Sequence, residues 1–315
     1  MDYQSLIGKS SRDAYGEIFY ELANKDENIV ALTADVGPSV RFDKFEKDFP
    51  ERFFDFGIAE QNLMGAAAGF AREGKTPYIS VYAIFAALRS VEQIRTDIAY
   101  PNLSVKICVS HSGISLGEAG PTHHTIEDVA VMRSIPNMTV VVPADGLSTG
   151  KLVYLINDHK GPVYLRLSRV KELTVYKDNQ DFEFGKGQII SEPGETTIIS
   201  CGASTGHALK AVEMMSERKI KVGLIDMPFI KPLDTDLIKD VLSISKTIIT
   251  IEEHSIIGGL GSAVAEVIAS SGENTKLHRL GIPDQFTKAG PYDELLSYYG
   301  LDTEGLVEVL NSSTG

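Results

Sequence analysis

The stretch LSVKICVSHSGISLGEAGPTHHTIEDVAVMRSIPNMTVVVPAD, residues 103–145, carries the pattern that decides the fold. It opens on a short apolar run, LSVKICVS, of the kind that forms a buried strand. A glycine-rich loop follows, then IEDVAVMRSI at helical spacing, then TVVVPAD as a second strand. A strand, a helix and another strand in that order make a crossover unit, and crossovers of this kind build parallel sheets covered on both faces.

The same alternation continues outward in both directions. Upstream, residues 12–23 (RDAYGEIFYELA) place Tyr15, Ile18, Phe19 and Leu22 on one helical face. NIVALTAD reads as a short buried strand ending in polar residues. GIAEQNLMGAAAGFAREG is rich in Ala and Gly and predicts a helix packed closely against other backbone. TPYISVYAIFAAL passes from a strand into a helix that continues through SVEQIRTDIAY. Downstream, STGKLVYLIND reads as helix and PVYLRLS as strand. Between Lys171 and Gln188 the pattern weakens in KELTVYKDNQDFEFGKGQ, which suits a domain boundary. A second series then runs through TTIISCGAS, HALKAVEMMSER, KVGLIDMPFI as one strand, a helix near 234–244, TIITIEEHS and GLGSAVAEVIASS. The segment LHRLGIPDQFTKAGPYDELLSYYG ends in helical spacing again, and no period of 20–50 residues repeats.

Composition agrees with two α/β domains. At roughly 150 residues per domain, 315 residues suggest two. A hydrophobic fraction of 43% and a charged fraction of 23% are those of a globular chain, not a disordered one. With 30 Lys and Arg against 43 Asp and Glu, the net charge is −13, which argues against nucleic-acid binding but leaves room for a local basic pocket. Cys108 and Cys201 lie far apart in apolar segments, forming neither a disulfide framework nor a CxxC pair. The opening MDYQSLIGKSSRD lacks the apolar stretch of a signal peptide, and no apolar run approaches the roughly 18 residues of a membrane helix. The expectation is a soluble, cytoplasmic protein that does not engage membranes.

Glycine-rich turns follow strands in both halves, where open α/β sheets bind ligands. Gly113, Gly117 and Gly120 have the wrong spacing for GxGxxG, and no GxxxxGK[ST] occurs, which disfavours NAD and P-loop enzymes. Glu60 heads the small-residue helix, either as a costly buried carboxylate with a chemical task or as an acid stabilised by the helix dipole. His111, His123 and His124 fall in one loop and suit proton transfer or hydrogen bonding to anions. Surface histidines are the plainer reading, and zinc is a rival that lacks a Cys ligand or an HExxH helix. Arg169 ends a strand, Arg12 opens the first helix, and Ser39 lies in the turn after Asp35. Arginine suits a bidentate grip on phosphate, sulfonate or carboxylate, although a lone Arg is more often a surface ion pair.

Taken together, DFGIAEQNLMGAAAGFA, EQIR, and GPTH followed by IED, R-x-IPNM and PAD closely resemble the pyrimidine-binding domain of transketolases. The similarity extends through ALTADVGPS, YLRLSR and the second half. It implies a transketolase-like pyrimidine-binding domain over residues 1–185 and a transketolase C-terminal domain over 186–315. It also implies thiamine diphosphate chemistry. Glu60 matches the glutamate that hydrogen-bonds the aminopyrimidine and favours the tautomer that removes the thiazolium proton. Phe85 and Tyr82 align with aromatics of the pyrimidine pocket, ordinary apolar packing being the alternative for Tyr82. His123 would face the donor carbonyl and help move protons. His111 would contact substrate oxygens or phosphate, and Arg12, Ser39 and Arg169 would hold the sugar phosphate. Gly117 and Gly120 would let the loop approach the cofactor.

Two departures concern the substrate. Ala119 stands where the family commonly has an aspartate that recognises a donor hydroxyl, and His124 stands where it usually has Gln. An altered pocket would suit an unusual anionic sugar, sulfonated or branched. A third concerns assembly: the GDG motif that anchors Mg2+ and the cofactor diphosphate is absent from this sequence. The resemblance then implies an N-terminal partner subunit carrying the diphosphate-binding domain, in an α2β2 assembly. The implied activity is transfer of a two-carbon ketol unit from a ketose phosphate or similar anionic ketose to an aldose. The β-type subunit of a 2-oxo acid dehydrogenase, deoxyxylulose-phosphate synthase and a non-catalytic subunit are the rival readings.

Overall fold

The computed structural model describes residues 3–177 and 180–313. Asp178 and Asn179, inside the segment where the sequence places its boundary, lie outside the described residues, as do both extreme ends. The first half contains α1 (Ser11–Lys25), β1 (Ile29–Thr33), α2 (Asp43–Asp48), β2 (Phe53–Asp55), α3 (Glu60–Arg72) and β3 (Thr76–Ile79). It continues with α4 (Val91–Gln93), β4 (Lys106–Val109), α5 (Asp128–Ser134), β5 (Thr139–Val141), α6 (Gly146–Asp158) and β6 (Val163–Arg166). Wide π-helical turns, Phe85–Arg89 and Ile94–Ala99, flank α4.

Local chemistry explains where these elements begin. The Ser10 hydroxyl accepts from the Asp13 amide at 3.1 Å and starts α1, whose Tyr15, Ile18, Phe19 and Leu22 are all buried. Asp145 starts α6 through a capping box with Ser148. The small residues of α3 behave differently from expectation. Leu63, Met64, Ala67 and Ala68 are buried, but Gly69 faces outward, with nothing within 4 Å of where a Cβ would stand.

The first sheet has seven strands in the order β10-β5-β6-β4-β3-β1-β2, parallel except for its last-joined member. That member, β10 (Phe229–Lys231), comes from the second half of the chain and pairs antiparallel with β5. The sequence reads KVGLIDMPFI as one strand; the structure divides it. β9 (Gly223–Asp226) belongs to the second sheet, and the chain crosses to the first at Met227–Pro228. Pro228 has no amide to donate to a ladder, so a continuous central strand through it is disfavoured.

The second half contains β7 (Gln188–Ser191), β8 (Thr196–Ser200), α7 (Ser204–Glu217), α8 (Thr235–Leu242), β11 (Thr247–Ser255), α9 (Leu260–Ser271), β12 (Lys276–Ile282), α10 (Tyr292–Tyr298) and α11 (Thr303–Ser313). Its sheet runs β12-β11-β8-β9-β7, with β7 antiparallel at the edge. Two α/β units with parallel-dominated sheets are therefore present, as the alternation requires. One apolar cluster joins them, running from Ile107 and Val140 in the first sheet to Ile199, Ile225 and Ile248 in the second. Among the described residues no helix is long and apolar enough to cross a membrane.

Candidate active site

Parallel strands point their carboxyl ends the same way, so the residues that follow them collect along one edge. In the order β6, β4, β3, β1, β2 those residues are Arg169, His111, Tyr82, Ser39 and Glu60. Arg12 reaches the same edge because α1 starts there, Ser11 bonding Ser168 just beyond β6, and runs away from it toward the start of β1. Topology alone thus lines up six of the residues singled out from sequence.

A cavity of about 570 Å3 opens there, between the two domains. Tyr82, Gly117, Ala119, His123 and Arg169 line it from the first domain, and Pro291 and Tyr292 face them from the second. Behind this wall the Tyr82 ring lies 4.0 Å from that of His111. Phe85 stacks near Tyr82 at 6.0 Å and meets His123 edge-on at 5.5 Å. The Arg89 guanidinium covers the Phe85 ring at 3.8 Å and donates to Oε1 of Glu60 at 2.9 Å. Glu60 is buried at the head of α3. A line of contacts thus runs from Arg169 across the cavity to His123, Phe85, Arg89 and Glu60.

The end near Arg169 is cationic. Burial pushes the Arg12 guanidinium down, and the like charges of Arg41 and Arg169 add to this against the pull of Asp13. His111 is pushed down to about 3, first by burial and then by Arg12, Arg169 and Arg41. It is neutral at pH 7, with Nδ1 paired to the Ser110 hydroxyl at 2.8 Å, so Nε2 is the nitrogen left for a ligand. Its backbone is left-handed at φ 59°, a strained choice for a non-glycine residue. The backbones beside the two arginines are tied locally. The Ser168 amide donates to Oγ of Ser11 at 2.8 Å, and the Ser11 amide donates to Glu172 at 2.9 Å.

Three expectations shift. His124 does not line the cavity: its buried ring bonds Oγ1 of Thr287 at 2.7 Å and the Gly117 carbonyl at 2.9 Å, tying the loop to the second domain. Ser39 contributes its carbonyl, which accepts from Arg12 at 3.2 Å. Gly117 has φ 50°, and an added Cβ would stand 2.9 Å from the Gly290 carbonyl, so its close approach is to the second domain. Arg41, Arg89, Glu172, Glu253 and Tyr292 went unnoticed in sequence. Only Arg41 carried a signal, being two residues from Ser39 in the same turn. Among the described residues no three His, Cys, Asp or Glu side chains gather as a metal site.

The site therefore sets a buried carboxylate beside an aromatic face, next to histidines and a cationic pocket. The chain belongs to the transketolase family: residues 8–172 match the transketolase pyrimidine binding domain and residues 185–306 the transketolase C-terminal domain. Within that family it corresponds to the C-terminal section found as a separate subunit. It is 46% identical to a putative transketolase C-terminal section of Methanocaldococcus jannaschii, over 96% of each chain. It is 39% identical to one of the subunits of an apulose-4-phosphate transketolase of Phocaeicola vulgatus, over 94% of each. A solved split gene transketolase, described as an inactive β4 tetramer, superposes with a TM-score of 0.87 at 40% identity, covering 97% of this chain and 98% of that one.

Proposed function

We propose that this chain is the pyrimidine-binding and substrate-binding subunit of a thiamine diphosphate-dependent transketolase, completed by an N-terminal partner subunit. The observation that carries the reading is the continuous line from the Arg12–Arg169 cluster, through His111, Tyr82, His123 and Phe85, to Glu60. The donor set fits an aminopyrimidine: a buried carboxylate to accept a hydrogen bond and a phenyl ring to pack on a flat face. When bound, thiamine diphosphate supplies the electron sink that lets a carbon–carbon bond break and form. Mg2+ and the diphosphate are assigned to the partner, because no GDG segment occurs in this sequence.

The chain's own residues then have distinct tasks. Glu60 orients the pyrimidine, and Arg89 fixes the carboxylate that does so. His123, at the cavity wall, moves protons at the donor oxygen. His111, held neutral, hydrogen-bonds substrate oxygens without adding charge. Arg12 and Arg169 grip an anionic end group and aim the carbonyl at the cofactor. Ala119 leaves room in the wall for a branched or otherwise unusual sugar; apulose 4-phosphate, which the name of the Phocaeicola vulgatus relative carries, is of the class to be screened. The partner's seat includes the surface around Glu60, where Ile58 and Leu88 are exposed apolar side chains and Gly69 faces outward. An α2β2 assembly acting in the cytoplasm follows from this reading.

The test is reconstitution. With a partner subunit, thiamine diphosphate and Mg2+, ketol transfer from anionic ketoses to aldoses is expected, and the isolated chain should turn over almost nothing. Glu60→Gln should lower kcat in the assembled complex by about 100-fold or more while leaving assembly intact. Full activity of that variant, or acyl-lipoyl transfer in place of ketol transfer, would remove the reading.

A further inference from the structure

The loop that carries His111, Gly117, Ala119 and His123 belongs to the first domain, yet a side chain of the second domain is built into it. Glu253 lies on β11 and is buried. Its Oε1 accepts the Ile114 amide at 2.7 Å, and its Oε2 accepts the Tyr292 hydroxyl at 2.7 Å. The loop's neck closes beside it, where the Gly113 amide donates to the Thr125 carbonyl at 3.0 Å and the Thr125 amide returns to the Gly113 carbonyl at 2.8 Å. Glycine is needed at 113: φ is 61°, and a Cβ there would collide with Oε1 of Glu253. Arg166 braces the same place, donating to the Thr125 and Glu253 carbonyls at 3.0 Å each while its Nε pairs with Asp128 at 2.8 Å.

We propose that Glu253 is a positioning residue for the ketol-transfer site, setting the distance between the His111–His123 loop and Tyr292 on the facing wall. This rests on the function proposed above. One carboxylate holds both walls of the cavity, because Tyr292 lines it from the second domain and Ile114 lies in the loop that lines it from the first. Both bonds are made inside the protein, where an unpaired amide or hydroxyl is costly, so the loop has one preferred seat. Burial pushes the carboxyl up, opposed by Tyr292, Arg166 and the Ile114 amide. The demand on the residue is therefore shape and hydrogen bonding: a carboxamide keeps an oxygen for the Ile114 amide and can donate its NH2 to the Tyr292 hydroxyl, which then accepts. The anion grip is built elsewhere, from Arg12 and Arg169, and does not pass through Glu253.

The experiment compares Glu253→Ala, Glu253→Gln and Tyr292→Phe in the reconstituted complex. It also measures hydrogen–deuterium exchange of the loop amides in each chain. Glu253→Ala is expected to lower kcat by about 10- to 100-fold with little change in KM for the anionic donor. Glu253→Gln should restore most of the loss. Tyr292→Phe, which removes one hydroxyl without emptying the site, should lower kcat by about 3- to 10-fold. If Glu253→Ala does not fold, Tyr292→Phe decides the matter by the same kcat and KM split. Exchange around Ile114 should rise in Glu253→Ala and not in Glu253→Gln. Wild-type kcat and unchanged exchange in Glu253→Ala would overturn the proposal, as would a Gln variant as impaired as the Ala variant. A wild-type complex without ketol transfer would instead count against the function proposed above, and the exchange data would still decide the role of Glu253 in the loop.

Discussion

Arg12 and Arg169 come from opposite ends of the first domain's sequence, yet the residues beside them, Ser11 and Ser168, are hydrogen-bonded to one another. That tie brings the two guanidinium groups near enough for their like charges to interact, an arrangement suited to a dianion. Arg169→Gln is expected to raise KM for phosphorylated donors by about 10- to 100-fold and to leave a neutral ketose unaffected. Equal losses on both donors would place Arg169 outside the anion grip. His111 makes a second prediction. Its folded pKa, about 3, lies below the ordinary 6.5, so between those values the unfolded chain binds the extra proton. Stability therefore falls as pH drops from 6.5 toward about 3, and His111→Asn should lose less over that range in thermal denaturation. Such a depression arises from burial and from cations of distant sequence, which is why histidine spacing revealed the loop and not the protonation state.

Glu172 connects two elements, accepting from the first amide of α1 while sitting in the segment that leaves β6. Burial pushes its carboxyl up to about 8 from the ordinary 4.5. The sign is opposite to that of His111. The unfolded chain releases this proton near 4.5 and the folded chain holds it to about 8, so the contribution is present below 4.5 and is lost as pH rises through 8. Asp226, raised by burial to about 7 from 3.8, slopes the same way. Glu172→Gln keeps a carbonyl for the Ser11 amide and does not titrate. Its melting temperature should fall less than the wild type's between pH 4.5 and pH 8, and an unchanged slope would count against the assignment. At this scale the alternating strands and helices were readable wherever apolar periodicity was strong, as in α1, β4, α6 and β11. β2, β7 and β12 were not, because each is partly exposed and gives no continuous apolar run.

For the whole molecule, the outward face of α3 makes the sharpest prediction. Gly69 lies in a helix interior with open space around its Cα, so Gly69→Ala should stabilise the isolated chain by up to about 1 kcal/mol in thermal or urea denaturation. Gly69→Arg should fold equally well and fail to assemble with the partner subunit, as read by light scattering. Normal assembly of Gly69→Arg would remove this face from the interface. The sequence expects the small residues of α3 to bring another backbone close, but Gly65 has only the Asp97 side chain nearby, at 3.8 Å from a built Cβ, and Gly69 has open space. The site, too, was legible in part. Residues that follow the strands of one sheet could be found from a single sequence, since topology gathers them. Glu253 and Tyr292 could not, because their significance depends on where the second domain sits against the first.

The crossing of β10 bears on how the chain is made. The first sheet receives its last strand from residues 229–231, after β7, β8 and β9 have been synthesised. On the ribosome, β5 therefore emerges with one edge bare and stays so until the second domain is well advanced. A polypeptide cut at the linker would keep that edge permanently, and its expected fate is self-association through β5. The two halves are separate in the plan of the fold, yet the first cannot finish its sheet until part of the second has been made.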